Sequence, residues 1–152
     1  MGIEIERKFL VTGEFRSGEP VHFQQGYLSR EPGRTVRVRI ADDQAWLTIK
    51  SLTTNTVRQE FEYEIPLADA KQMIELCDGP VIEKHRWNIQ HAEHLWEVDV
   101  FSGDNQGLIV AEIELTSPDE DFVIPDWVGE DVSHDPRYHN SQLSIHPYKN
   151  WS

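Results

Sequence analysis

Residues 1–11, MGIEIERKFLV, carry charged side chains at every second position. Successive side chains of a β-strand point to opposite faces, so Glu4, Glu6 and Lys8 share one face of a strand predicted over 3–11. Two acids and one base on a single strand face are an unusual set. What this face contacts decides the interpretation of the fold.

Alternation of this kind recurs along most of the chain. Seven further strands are predicted, over 23–29, 35–40, 45–50, 58–65, 81–89, 94–101 and 108–115. One helix is predicted over 67–78, with Ala70, Met73, Ile74 and Cys77 as its apolar stripe. Turns and short helical pieces are predicted near 118–122, 125–128 and 140–145. Hairpin-like spacing without a linker or repeat predicts a single domain over 1–152, α+β but mainly β, built as an antiparallel barrel or sandwich.

The other predicted strands also place charged residues at period two. They are Arg37 and Arg39; Lys50; Glu60, Glu62 and Glu64; Lys84 and Arg86; Glu97 and Asp99; Glu112 and Glu114. A β-sandwich with solvated outer faces is the simple interpretation. Several strands carry one sign only, and strand surfaces usually use Thr and Ser instead. These features favour a closed barrel whose charged faces point inward and whose apolar faces point outward.

Charges inside such a barrel must be paired or must bind a ligand. Carboxylate clusters bind hard divalent cations such as Mg²⁺ or Mn²⁺. Arg and Lys clusters bind phosphate oxygens. A ligand that needs both sets is a metal-bound polyphosphate.

Composition narrows the function classes. The 152 residues have a formal net charge of −13, which argues against general binding to nucleic acid or to anionic membranes. Cys77 is the only cysteine, so neither a disulfide framework nor a thiolate metal site is expected. No apolar run has the length of a signal peptide or a membrane span, and a cytoplasmic location is expected.

The residues also resemble a known family. Glu4-Ile5-Glu6-Arg7-Lys8 is similar to the ExExK signature of the CYTH superfamily, the triphosphate tunnel metalloenzymes. The resemblance covers nearly the whole chain and continues through Arg37-Val38-Arg39, Leu47 to Lys50, Glu60 to Pro66, Lys84 to Trp87, Trp96 to Phe101, Ala111 to Leu115, Asp135 to Tyr138 and Asn140-Ser141. ExExK alone is a weak pattern, whereas this order of partners is specific.

The resemblance implies an eight-stranded antiparallel closed barrel with a few helices packed outside. It is nearest to the small bacterial inorganic triphosphatases, which implies metal-dependent hydrolysis of tripolyphosphate to pyrophosphate and phosphate. The implied metal ligands for Mg²⁺ or Mn²⁺ are Glu4, Glu6, Asp99, Glu112 and Glu114. The implied substrate-binding residues are Lys8, Arg37, Arg39, Lys50, Glu62, Glu64, Lys84 and Arg86, with Glu4, Glu6 and Lys8 as the catalytic motif. Glu60 and Glu97 would only pair with neighbouring cations. The chain departs from the family at His134 and His139, in a segment that would cap the tunnel.

Two alternatives stay open at this point. One is a class IV-type adenylate cyclase on the same scaffold. The other is a non-catalytic module that binds polyphosphate or a nucleotide, although such a module gains nothing from the carboxylates. The expected partner is a small-molecule triphosphate, with neither nucleic acid nor membrane, and a homodimer is a candidate assembly.

Overall fold

The computed structural model describes residues 2–51 and 56–151. Nine strands within these residues form one antiparallel sheet. The strands are β1 (Gly2–Val11), β2 (Val21–Ser29), β3 (Thr35–Ala41), β4 (Gln44–Lys50), β5 (Val57–Ile65), β6 (Ile82–His91), β7 (His94–Phe101), β8 (Ile109–Glu114) and β9 (Val128–Asp131). The described residues also contain helices α1 (Leu67–Leu76) and α2 (Asn140–Leu143) and three short 3₁₀ turns. Neither helix is long and apolar enough to cross a membrane.

The first eight strands close into a barrel because β1 has neighbours on both sides. Glu4 pairs with Arg58 of β5, and Glu6 pairs with Glu114 of β8. The order around the barrel is β1-β5-β4-β3-β2-β6-β7-β8. Closure confirms the predicted eight-stranded antiparallel barrel and excludes the sandwich, since a sandwich leaves its sheets open at the edges.

Strand β9 was not predicted. It pairs with the far end of β1, where Phe9 faces Asp131 and Val11 faces Val128. Its sequence, Val-Gly-Glu-Asp, has no apolar alternation, and Gly and Asp are depleted in strands. Pairing with an exposed edge of β1 forms this strand, so local sequence carries little signal for it.

Helix α1 covers the outer face of β2, β3 and β4. Its predicted stripe is confirmed: Ala70 is fully buried against Val38 and Ala45, and the other stripe residues pack around them. A side chain at Gly26 of β2 would place its Cβ 2.8 Å from the Cys77 sulfur, so only glycine allows this approach. The helix ends at Leu76, two residues earlier than predicted, because Cys77 already has extended backbone angles.

An aromatic cluster covers the opposite outer face. Trp96 of β7 is fully buried and contacts Phe9 of β1, with ring centroids 5.6 Å apart. Trp127 and Phe122, from the connection between β8 and β9, close over Trp96 at 5.7 and 5.9 Å. The apolar faces of the strands therefore point outward into cover, and the charged faces are left inside.

A third cluster closes one end of the barrel. Tyr27 and Phe101, on the inner faces of β2 and β7, pack against Tyr138 and Leu143 from the C-terminal segment. The segment after β9 thus acts as a plug, here called the C-terminal plug (132–151). The charged part of the barrel interior lies above it.

Candidate active site

The barrel interior holds a cavity of about 150 Å³ with mostly charged walls. Seven carboxylates line it: Glu4, Glu6, Glu60, Glu62, Glu97, Glu112 and Glu114. Seven cations line it as well: Lys8, Arg37, Arg39, Lys50, Arg58, Lys84 and Arg86. The two sets cancel formally, so a polyphosphate anion entering this cavity needs additional positive charge.

Eleven of the thirteen site residues predicted from the sequence line this cavity. The two exceptions are Asp99 and Glu64. Asp99 lies beneath the wall with no exposed surface. Glu64 is exposed, and its Oε2 accepts a hydrogen bond of 3.4 Å from Gln44.

Glu4 is held between two cations. Its Oε1 lies 3.1 Å from Lys50 Nζ and 2.9 Å from Arg58 Nε. Burial raises the pKa of Glu4, but Lys50 and Arg58 more than offset this and lower the pKa to about 2. Glu4 is therefore ionised at any physiological pH.

Lys8 lies between Glu6 and Glu112, with Nζ to carboxylate distances of 3.1 and 3.0 Å. Burial lowers the pKa of Lys8, but Glu112 and Glu6 raise it above its ordinary value. The pKa of Glu6 is raised to about 7 by burial and by the nearby carboxylate of Glu112, in spite of Lys8. One lysine thus does not neutralise the two acids.

Asp99 is the anchor of the β6 cations. Its carboxylate lies 2.7 Å from Lys84 Nζ and accepts two hydrogen bonds from Arg86, at 2.7 and 2.9 Å. Burial raises the pKa of Asp99, but Arg86 and Lys84 lower it below its ordinary value. All three side chains are at least 92% buried, so this is an interior ion triad.

The β3 arginines are less fully satisfied. Arg37 donates to Thr48 Oγ1 at 3.2 Å and lies 3.4 Å from Glu62, but its buried Nε has no hydrogen-bond partner. Arg39 donates from Nε to Gln25 Oε1 at 2.9 Å. A buried donor without a partner is costly, and a phosphate oxygen would satisfy it.

The charges whose pKa values are shifted toward the neutral form lie mostly apart by sign, and Lys50 of β4, beside β5, is the exception among the cations. Burial and neighbouring carboxylates raise the pKa values of Glu6, Glu60 and Glu114, which lie on the adjacent strands β1, β5 and β8. Burial and neighbouring arginines lower the pKa of Arg39 to about 9 and that of Lys84 to about 7. These two cations lie on β3 and β6, which flank β2 on the other side of the barrel. One side of the tunnel therefore favours an added cation and the other an added anion.

Arg58 and three plug residues line the cavity but are absent from the site residues predicted from the sequence. Arg58 shares its strand face with Glu60 and Glu62, so the same period-two count contained it. His139, Asn140 and Ser141 reach the cavity from the C-terminal plug, in the segment that the family resemblance places over the tunnel, although no local pattern assigns them to the site.

The plug histidines differ in placement. Burial, with Lys8 and Arg58, lowers the pKa of His139 to about 4, so this side chain is neutral in the tunnel. His134 is exposed. Of the two departures from the family pattern, His139 therefore reaches the tunnel and His134 does not.

The carboxylates do not form a ready metal cage. Within residues 2–51 and 56–151, no three His, Cys, Asp or Glu side chains are arranged to hold a metal ion by themselves. Mg²⁺ is commonly bound by one or two carboxylates together with substrate phosphates and water. Carboxylates with raised pKa values on β1 and β8 fit that mode of binding, in which the substrate supplies the remaining oxygens.

Comparisons with known proteins agree with this geometry. The CYTH domain model matches residues 2–144. An inorganic triphosphatase of Acetivibrio thermocellus is 47% identical to this chain, and the alignment covers 99% of each of the two chains. An inorganic triphosphatase of Nitrosomonas europaea is 35% identical, over 93% of this chain and 97% of its own. A crystal structure of the inorganic triphosphatase NE1496 superimposes with a TM-score of 0.67 at 34% identity, covering 93% of this chain and 94% of that one.

Proposed function

The chain belongs to the CYTH domain family, and from this we propose that it hydrolyses inorganic tripolyphosphate to pyrophosphate and phosphate. The observation that carries the proposal is that, inside one barrel, the acids with raised pKa values lie on the side opposite Arg39 and Lys84, two cations with lowered pKa values. The acids lie on β1, β5 and β8, and these two cations lie on β3 and β6. A polyphosphate together with a divalent cation relieves both sides at once.

The cations would hold the phosphate chain. Arg37 has a buried donor without a hydrogen-bond partner, and burial together with Arg37 and Arg86 lowers the pKa of Arg39 to about 9. Arg guanidinium groups bind phosphate oxygens in bidentate fashion. Lys50, Lys84 and Arg86 would provide further phosphate contacts from the cavity wall. Arg58 lines the same cavity, and we include it among the phosphate-binding residues.

Lys8 would stabilise charge at the reacting phosphate. Its Nζ lies about equally far from Glu6 and Glu112, and those carboxylates keep it protonated by raising its pKa. A fixed and buried ammonium group is well placed to stabilise the negative charge of a phosphoryl-transfer transition state. The proposed catalytic motif Glu4, Glu6 and Lys8 thus combines charge stabilisation with cation binding.

Members of this family generally depend on a divalent metal ion. Glu6, Glu112 and Glu114 would hold it, with Glu4 at the edge of the same group. When bound, the ion supplies the additional positive charge that the formally neutral tunnel lacks, and it polarises phosphate oxygens. The metal-ligand role of Asp99 stays a prediction, and it would require breaking contacts to Lys84 and Arg86.

The proposal is tested by phosphate release from tripolyphosphate, ATP and thiamine triphosphate, with Mg²⁺, with Mn²⁺ and with EDTA. The parent protein is compared with Glu6→Gln, and with Glu75→Gln on the exposed face of α1 as the matched control. We expect metal-dependent release that favours tripolyphosphate, is lost in the first variant and is kept in the second.

Other outcomes point to other functions. Cyclic nucleotide formed from ATP without phosphate release from tripolyphosphate would identify a cyclase. Tight binding of tripolyphosphate without any product would identify a binding module.

The choice between Mg²⁺ and Mn²⁺ is decided by the same assay. A cytoplasmic location and a homodimer are part of the proposal. The assembly is tested by light scattering during size-exclusion chromatography. The exposed outer-face side chains Phe61 and Tyr63 of β5 are positions where substitution would weaken self-association if this face pairs.

A further inference from the structure

Arg39 differs from every other cation that lines the tunnel. Each of the other six lies within 3.4 Å of a carboxylate oxygen. Among the described residues, Arg39 has no ion pair. Its Nε donates to the side-chain carbonyl of Gln25, and its guanidinium carbon lies 4.6 Å from the ring centre of Phe23. A neutral amide and an aromatic face therefore hold this cation.

Gln25 lies in the barrel wall directly opposite Arg39 in the pairing of β2 with β3. The residue lies on the inner face of β2 and has no exposed surface. Its Nε2 donates to Asn140 Oδ1 at 3.1 Å, and the same oxygen accepts from Lys84 Nζ at 3.0 Å. Arginine and lysine side chains can only donate, so the oxygens of both amides must face the cations. The orientation of the pair is thus fixed by its neighbours.

This arrangement orients a cation without neutralising it. A carboxylate at position 25 would hold Arg39 equally well but would cancel its charge. An amide occupies only Nε, which leaves both terminal NH₂ groups of the guanidinium free for phosphate oxygens. The second half of the amide reaches Asn140, the plug residue that also contacts Lys84.

We propose that Gln25 is a positioning residue that presents Arg39, unneutralised, to the phosphate chain and ties this cation to the C-terminal plug through Asn140. The inference rests on the proposed function, because the ligand it names is tripolyphosphate. The role is indirect: Gln25 acts through Arg39 and does not itself line the cavity.

A double-mutant cycle of Gln25→Leu and Arg39→Gln tests the proposal. Affinity for tripolyphosphate is measured by calorimetry in EDTA, where turnover is absent, and KM and kcat are measured with Mg²⁺. Losing a hydrogen bond to a charged group is expected to raise Kd and KM about tenfold, with a smaller change in kcat. In the Arg39→Gln background the same change should have almost no effect.

Controls separate positioning from general damage. Gln24→Leu makes the same substitution on the outer face of β2 and should leave Kd unchanged. Gln25→Glu should weaken binding through charge neutralisation while keeping the fold. An equal rise in Kd from Gln25→Leu in both backgrounds, or from Gln24→Leu, would overturn the proposal.

A second readout is independent of substrate. In the NMR spectrum of the free protein, the Nε–H proton of Arg39 should exchange with water far more slowly than that of the exposed Arg34. The protection should be lost in Gln25→Leu and kept in Gln25→Glu. Rapid exchange in the parent protein would refute the proposed contact even if the enzyme hydrolyses tripolyphosphate. Protected exchange without any hydrolysis would instead count against the proposed function alone.

Discussion

Replacement of Asp99 by asparagine separates two roles for this residue. The sequence resemblance implies a metal ligand, whereas the structure shows a buried carboxylate between Lys84 and Arg86. Asparagine has nearly the same shape and keeps one carbonyl oxygen, so it removes the charge with little change in packing. We expect Asp99→Asn to destabilise the fold itself.

The magnitude follows from burial. Asp99 and Lys84 have no exposed side-chain surface, and that of Arg86 is 8% exposed. Removing one partner of a buried ion pair costs about 3–5 kcal/mol, because the remaining charge is left uncompensated. For a domain of this size each kcal/mol lowers Tm by about 2–4 °C, so we expect a decrease in Tm of about 6–20 °C.

The pH dependence has a definite sign. The folded-state pKa of Asp99 lies below its ordinary value of 3.8, so the charged form stabilises the fold above that pH. This contribution is lost as the pH falls through the folded-state pKa. The difference in stability between the parent protein and Asp99→Asn should therefore be full at neutral pH and should narrow below about pH 4.

The assay is urea and thermal unfolding without metal or substrate, with Asp104→Asn at an exposed site as the control. Catalytic activity is measured on the fraction that remains folded. An unchanged Tm together with complete loss of metal-dependent hydrolysis would refute the anchor role and support the metal-ligand prediction.

Three further outcomes are expected. The folded-state pKa of Glu6, about 7, lies above its ordinary value of 4.5, so the stability of the metal-free protein should fall as the pH rises from 4.5 to 7. Glu6→Gln should remove this fall, which is measured by thermal unfolding in EDTA across that pH range. Replacing Arg58 by glutamine should raise KM for tripolyphosphate about tenfold, measured by steady-state kinetics, and should raise the pKa of Glu4, measured by carboxyl-carbon NMR. An unchanged KM would show that Arg58 does not bind the substrate. Gly26→Ala should lower the free energy of unfolding by about 1–3 kcal/mol, because the new Cβ contacts the Cys77 sulfur, and adding Cys77→Ala should restore part of this stability. Both changes are measured by urea unfolding. A loss of stability that Cys77→Ala leaves intact would contradict the steric explanation.

The alternation of charged and apolar residues favoured a closed barrel over a sandwich, and the family resemblance supplied the prediction of eight antiparallel strands. A strand with Glu4, Glu6 and Lys8 on one face and Ile5 and Phe9 on the other has one stable placement in a closed barrel, because only the outer face meets apolar cover. Strand ends were predicted within about two residues, the usual scatter for such boundaries.

Contacts made at long range could not be predicted. Strand β9 forms because β1 extends beyond its pairing with β5 and offers an unpaired edge on that side. Gln25 and Asn140 are uncharged, and they acquire their roles only by meeting 115 residues apart in sequence. Asp99 shares its strand face with Glu97, and burial alone distinguishes the interior anchor from the residue that lines the tunnel.

Closure of the barrel at β1, between β5 and β8, affects how the chain can fold during its synthesis. This strand leaves the ribosome before the other strands of the barrel, yet its neighbours there are β5 and β8, and Glu6 meets Glu114 only after β8 has been made. At translation rates of about 5–20 residues per second, β1 waits several seconds for both partners. During that time its backbone edges are open to wrong pairing, a hazard for any unpaired strand. A nascent chain truncated before β8 would carry the complete ExExK motif and still have no tunnel.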